Sequence, residues 1–223
     1  MVYYTKQIPE NLTLSDRLLE ISIGVLLQDA SIQKNTSKSK EKYRLKFLQS
    51  AKHKKYIYHL HSEYSDYVIS KPFFNSERNT YSFQTVFHSE FNVLANMFLD
   101  SSKKKSIRCF FIKNTISPIS LAYWFMDDKG RLSYNKDYVR KGIVFNTQGF
   151  TFNEVKILSE NLNNKYNLET WVKENKKKPI IAISGKKYKE IEKLISPYVI
   201  PSMKYKLPFS SKENTVNKVD DIV

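Results

Sequence analysis

Two aspartates, each closing a run of apolar and small residues, are the positions from which chemistry is most readily built. Asp29 ends the stretch ISIGVLLQDA (residues 21–30), and Asp128 ends the stretch LAYWFMDDKG (residues 121–130), about a hundred residues further on. Both runs read as buried helices, with apolar side chains on nearly every face and no internal proline. An acid at such a helix end is repelled by the partial negative charge of the last carbonyls. One instance is unremarkable, but its repetition points to a cation where the two helices finish. A divalent metal held by oxygen ligands is the simplest such cation. Asp127 competes with Asp128 and is expected to lie behind it or to face solvent.

Ser22-Ile23-Gly24-Val25-Leu26-Leu27-Gln28-Asp29-Ala30 and Leu121-Ala122-Tyr123-Trp124-Phe125-Met126-Asp127-Asp128-Lys129 resemble the LAGLIDADG motif pair of homing endonucleases. The second copy, with its approach Ile116-Ser117-Pro118-Ile119-Ser120, is similar to the single-chain, two-motif mitochondrial branch typified by the yeast omega-intron endonucleases. The segments Asn146-Thr147-Gln148-Gly149-Phe150-Thr151-Phe152 and Met203-Lys204-Tyr205-Lys206-Leu207-Pro208 are also close to that branch. Neither copy ends in the glycine of the motif, since Ala30 and Lys129 stand there.

The resemblance implies a mixed α/β (α+β) fold of two pseudo-symmetric αββαββα repeats, whose antiparallel sheets form a DNA-binding saddle. Its motif helices would pack side by side at the pseudo-dyad, with Ser22, Gly24, Ser120 and Ala122 small enough to allow close approach. It implies Asp29 and Asp128 as catalytic acids and metal ligands, with Mg²⁺ as the ion and Mn²⁺ able to substitute. It also implies Lys105 and Lys206 as the lysines beside each scissile phosphate, where they would offset developing charge or polarise the attacking water.

The elements that must position these groups follow the same order twice. A helix over 14–29, with Thr13 or Ser15 as N-cap, leads to strands at 31–33 and 43–47. A helix over 53–68, a hairpin over 73–87 turning near 75–79, and a helix over 90–100 complete the first half. In the second half the helix through Asp128 leads to strands near 131–135 and 140–147 and a helix over 152–165. Strands near 169–174 and 179–184 and a helix over 186–196 follow. The boundaries expected are 1–112 and 113–208 for the two repeats, with a linker near 111–116 and a polar, disordered tail over 209–223.

Tyr43, Leu45 and Phe47 alternate with Arg44 and Lys46, which gives a strand with an apolar back and a cationic front. A two-stranded ribbon of this kind fits the DNA major groove, where Arg and Lys read guanine and Gln or Asn reads adenine. The candidate readers are Gln33, Arg44, Lys46, Ser82, Gln84, Ser133, Asn135, Arg140, Lys173 and Ser184. Gln49 and Asn146, at the inner ends of their strands, could position the attacking water.

The composition agrees with this chemistry. Thirty-seven Lys and Arg against 22 Asp and Glu leave a net charge of +15, which favours a polyanion as partner. A single cysteine, Cys109, excludes an intrachain disulfide, and the four histidines show no ligand spacing. No apolar run approaches the ~20 residues a membrane helix needs, and the first residues carry no signal-peptide or targeting pattern. The expected protein is a monomeric, magnesium-dependent, intron-encoded nuclease of double-stranded DNA, acting in the mitochondrion. The competing reading is a maturase that binds its own group I intron RNA to assist splicing.

Overall fold

The computed structural model describes residues 7–36, 40–108, 115–127 and 143–207. Two helices and two antiparallel sheets organise it. Helix α1 (Asp16–Leu26) starts at Ser15, whose side chain accepts the Leu18 amide, so Ser15 rather than Thr13 is the N-cap. The helix stops three residues short of Asp29. The Ala30 amide turns back onto the Val25 carbonyl, and the Gln28–Asp29 segment forms a turn rather than a last helical residue. The chain then runs through β1 (Ser31–Lys34), β2 (Tyr43–Ser50), α2 (Lys54–Glu63), β3 (Phe73–Asn75), β4 (Thr80–Gln84) and α3 (Asn92–Phe98). Short 3₁₀ turns at Ala51–His53, Ser65–Tyr67 and Ser89–Phe91 flank α2 and precede α3, so both helices are shorter than their sequence patterns.

The later part holds α4 (Pro118–Asp127), β5 (Ile143–Asn146), α5 (Phe152–Tyr166), β6 (Thr170–Asn175), β7 (Lys178–Ile183) and α6 (Tyr188–Ile195), then 3₁₀ turns at Ser196–Tyr198 and Pro201–Lys206. Helix α5 is fixed by a full capping box, Thr151 with Glu154, and ends on Asn167 in the left-handed region. The expected strand near 131–135, the candidates Asp128, Ser133, Asn135 and Arg140, residue Cys109, most of the 111–116 linker and the 209–223 tail lie outside the described residues.

The first sheet has strand order β1-β2-β4-β3, and the second β5-β7-β6. Each sheet turns one side to the hydrophobic core. In β2, Tyr43, Leu45, Phe47 and Gln49 are buried, whereas Lys46 and Leu48 are exposed and Arg44 is half-buried. Phe47 stacks on Phe83 across the β2–β4 pair, with centroids 4.5 Å apart, and meets Tyr64 at the end of α2. In the second sheet Phe145 packs against Trp124 of α4.

Helices α1 and α4 lie directly against each other. A Cβ added at Gly24 would stand 2.4 Å from the Ser120 carbonyl oxygen and 2.9 Å from Tyr123 Cβ. Glycine is therefore needed because another backbone occupies the place of its side chain. Ser120 Oγ donates to the Glu20 carbonyl across the interface, and the buried Ser22 Oγ donates to Leu18 O while bonding Tyr64. The Tyr123 hydroxyl donates to Glu63, which Arg17 grips through two nitrogens, and receives a bond from His59. The expected small residues are thus where the helices meet, and the two helices contribute unlike surfaces.

Candidate active site

The C-terminal ends of α1 and α4 converge. The Asp29 amide donates to Asp127 Oδ2 at 2.9 Å, joining the two motif segments across their interface. Asp127 closes α4 and is buried, so of the two placements expected for it the solvent-facing one is excluded. Its other oxygen, Oδ1, accepts Nε2 of Gln49 at 2.5 Å. Burial, and then the charge of Asp29, push the Asp127 carboxyl up to about 7, against the pull of the Asp29 amide and the lysines Lys206 and Lys105. A carboxyl so placed is partly protonated near neutral pH, and a cation drawn to it would displace that proton.

Two lysines approach from the ends of the two parts of the chain. Lys105 Nζ donates to the Gln28 carbonyl at 2.6 Å and to the Ala30 carbonyl at 3.2 Å, the residues on either side of Asp29. Lys206 Nζ donates to the Met126 carbonyl, the residue before Asp127. Both lysines thus bind carbonyls at the end of a motif segment, beside its acids. Burial pushes Lys105 down to about 8, while the charges of Asp127 and Asp29 oppose the shift. A lysine in this state carries its charge at neutral pH but holds its proton loosely.

The polar partners cross over. Gln49, from the first sheet, serves Asp127 of the later helix. Asn146, from the second sheet, shares a cleft with Asp29 and Lys105 that is also lined by Leu27, Gln148 and Phe150. A second cleft on the other side of Asp29 is lined by Leu48, Gln49, Ser50, Arg78 and Thr80. Asp29 therefore stands among groups from both sheets.

Of the residues picked from sequence, Asp29, Lys105, Lys206, Gln49 and Asn146 gather around the two helix ends. Asp127, expected behind Asp128 or facing solvent, joins them through its bonds to the Asp29 amide and Gln49, and His53 was missed. His53 shows no ligand spacing, and its part depends on folding. Gln49 commits its amide nitrogen to Asp127, so its oxygen accepts from His53 Nδ1 at 3.3 Å. His53 Nε2 is then left to accept from Tyr205, next to Lys206, at 3.1 Å.

The described reader candidates fall into two groups. Gln33 pairs with Arg44, Ser31 with Lys46, and Lys46 with Gln84, so Gln33, Arg44, Lys46 and Gln84 share the exposed face with Ser82, which pairs with Leu48. Arg44 also donates to Gln33 at 3.1 Å and lies over the Phe87 ring. Lys173 is exposed on β6. Ser184 stands just beyond β7 and accepts the Lys186 amide as the cap of a 3₁₀ turn. Capping competes with base reading at that serine. Behind Lys173, its neighbours in the sheet, Ile180 and Ala182, are apolar and buried, so the second sheet's face is less polar than the strand pattern implies.

Among the described residues no group of three or more His, Cys, Asp or Glu could hold a metal, and no helix is long and apolar enough to cross a membrane. Two carboxylates among carbonyl oxygens remain a fitting donor set for a hard cation that keeps waters and takes its other ligands from a bound phosphate.

The chain matches the profile of the LAGLIDADG DNA endonuclease family over residues 19–191. It is 42% identical over 205 residues to a probable intron-encoded endonuclease 1 of Wickerhamomyces canadensis, covering 89% of this chain and 87% of that one. Its fold superposes on the homing endonuclease I-WcaI bound to its DNA recognition sequence with a TM-score of 0.79 and 41% identity, over 88% of both chains. It is also 28% identical to the cytochrome b mRNA maturase bI2 of Saccharomyces cerevisiae, over 87% of this chain and about half of that protein.

Proposed function

Because this chain belongs to the LAGLIDADG DNA endonuclease family, we propose that it is a homing endonuclease, a site-specific hydrolase of double-stranded DNA. The observation that carries this reading is the reciprocal pair of acid and lysine at the meeting of α1 and α4, with one acid and one capping lysine from each part of the chain. On this reading residues 1–112 and 113–208 are the two repeats, a single chain supplies both so that the working form is a monomer, the gene is organelle-encoded and the protein acts in the mitochondrion.

Asp29 and Asp128 are the acids that would hold a divalent ion, Mg²⁺ with Mn²⁺ as substitute. Asp127, whose two carboxylate oxygens accept from the Asp29 amide and from Gln49, would stand behind them and fix the two motif segments to each other. A divalent ion bound there activates water and neutralises charge on the attacking and leaving oxygens. Lys105 and Lys206 face the two scissile phosphates and offset the charge that develops on them. Gln49 and Asn146 orient water from opposite sheets. Gln33, Arg44, Lys46, Ser82, Gln84 and Lys173 line the exposed strand faces that would enter the major groove, and Ser133, Asn135 and Arg140 are further proposed base readers.

The test is a cleavage selection with Mg²⁺ on a randomised or intron-insertion-site DNA library, with a parallel binding reaction in Ca²⁺. The recovered site is then given to Asp29→Asn, Asp127→Asn and Asp128→Asn. Asp29→Asn and Asp128→Asn should lose cleavage by at least about 10³-fold while still binding in Ca²⁺, a size in keeping with loss of a metal-activated nucleophile. Asp127→Asn should lose less. The reverse pattern would move the second site to Asp127. The maturase likeness supports a second reading, in which intron RNA is the partner. Tight RNA binding with no DNA cut would favour it.

A further inference from the structure

The exposed face of the first sheet carries an apolar row in the middle of its polar readers. Leu48 on β2 pairs with Ser82 on β4, and Ser82 pairs with Phe73 on β3. Directly paired residues leave a sheet on the same side, so Leu48, Ser82 and Phe73 point outward together, one pair beyond Lys46 and Gln84. Leu48 is 49% exposed and Phe73 66% exposed, and neither joins the core cluster on the opposite side. Phe74, by contrast, faces the helix side, where its ring meets Tyr81 at a tilt of 35° and Tyr81 in turn meets Tyr58 of α2. The second sheet has a comparable row, in which Trp171, 49% exposed on edge strand β6, lines up with Ala182 and Val144.

Resting on the reading of this sheet as a major-groove ribbon, we propose that Leu48 and Phe73 read thymine, each against the C5-methyl group of a different base pair. The C5-methyl of thymine is the apolar group that base pairs present in the major groove, and an apolar side chain there discriminates thymine from cytosine. A face flanked by Arg44 and Lys46 suits a polyanion, so a partner protein that wanted this row would have to bury those charges. The two side chains stand on strands separated by β4, roughly 10 Å apart. That is about three steps of the ~3.4 Å base spacing, too far to share one methyl. Leu48 also lines the cleft beside Asp29 and Gln49, so its base pair lies toward the cut and the one read by Phe73 away from it.

The experiment uses the full chain and the target duplex recovered by cleavage selection, with each thymine replaced in turn by uracil, which removes one methyl and nothing else. Binding is titrated in Ca²⁺. Wild type should lose about fourfold in affinity at two positions, the change that one buried methyl of ~0.8 kcal/mol corresponds to. Leu48→Ala should become insensitive to uracil at the inner position alone and Phe73→Ala at the outer alone, while Phe73→Leu keeps the dependence. The proposal is overturned if wild type tolerates uracil everywhere, or if both alanine variants keep the full effect at both positions. A chain that prefers no duplex at all would remove the nuclease reading and this one with it, a result distinct from binding that ignores the methyls.

Discussion

Asp127 is where residue chemistry and stability meet. Its folded value, about 7, lies above the ordinary carboxylate value of 3.8, so the folded chain binds this proton more tightly than the unfolded chain. Between those values stability falls as pH rises, because the unfolded state releases the proton first. The loss is complete above about pH 7, where the buried group is ionised beside Asp29. Metal-free Asp127→Asn should therefore melt a few degrees above wild type at pH 8 and show a smaller gap at pH 5, measured by thermal denaturation in chelator. Gln49→Ala takes a donor from the same carboxylate and should slow cleavage about tenfold to a hundredfold while leaving Ca²⁺-supported binding near normal. At this scale the sequence spoke through types and order. Lys105 and Lys206 were legible as a repeated basic segment after each half, and Gln49 as the polar end of an alternating strand. The burial of Asp127 and its bonds to the Asp29 amide and Gln49 were not legible, because they depend on how the two helix ends meet.

Helices α1 and α4 set the distance between everything else. Gly24 sits where the Ser120 carbonyl would overlap any Cβ, so Gly24→Ala must push the helices apart or bend one of them. Overpacking of this kind costs about 1–3 kcal/mol, and the same displacement moves Asp29 relative to Asp127. Chemical denaturation should show the stability loss, and the cleavage rate should fall further than stability alone explains. Apolar runs without proline made both helices readable, and the small residues on them marked the interface. Their ends were harder to place. α1 stops at Leu26 because Ala30 N–H folds back to Val25 and Lys105 gathers the carbonyls beyond, a long-range contact that local pattern cannot contain. The flanking 3₁₀ turns that shorten α2 and α3 likewise follow from packing of Tyr67 and Phe91 into the core.

At the level of the whole molecule, +15 of net charge implies that DNA binding releases many counterions. Affinity for the target should drop on the order of 10³-fold or more between about 50 and 200 mM salt, read by fluorescence anisotropy, whereas Arg44→Ala and Lys46→Ala should mainly relax sequence preference at the bases they read. The duplicated order of elements was visible in the chain, and so was the alternation that puts cations outward on β2. The apolar row beside them was not, since Leu48 and Phe73 fall in separate strands and come into line only through the register that Ser82 imposes. The unlike faces of the central helices have a consequence for symmetry. A glycine on one side receives a tyrosine on the other, so the seam is complementary between unlike surfaces. One chain can therefore bring two different ends to a single seam, a freedom that identical partners meeting at a dyad do not have.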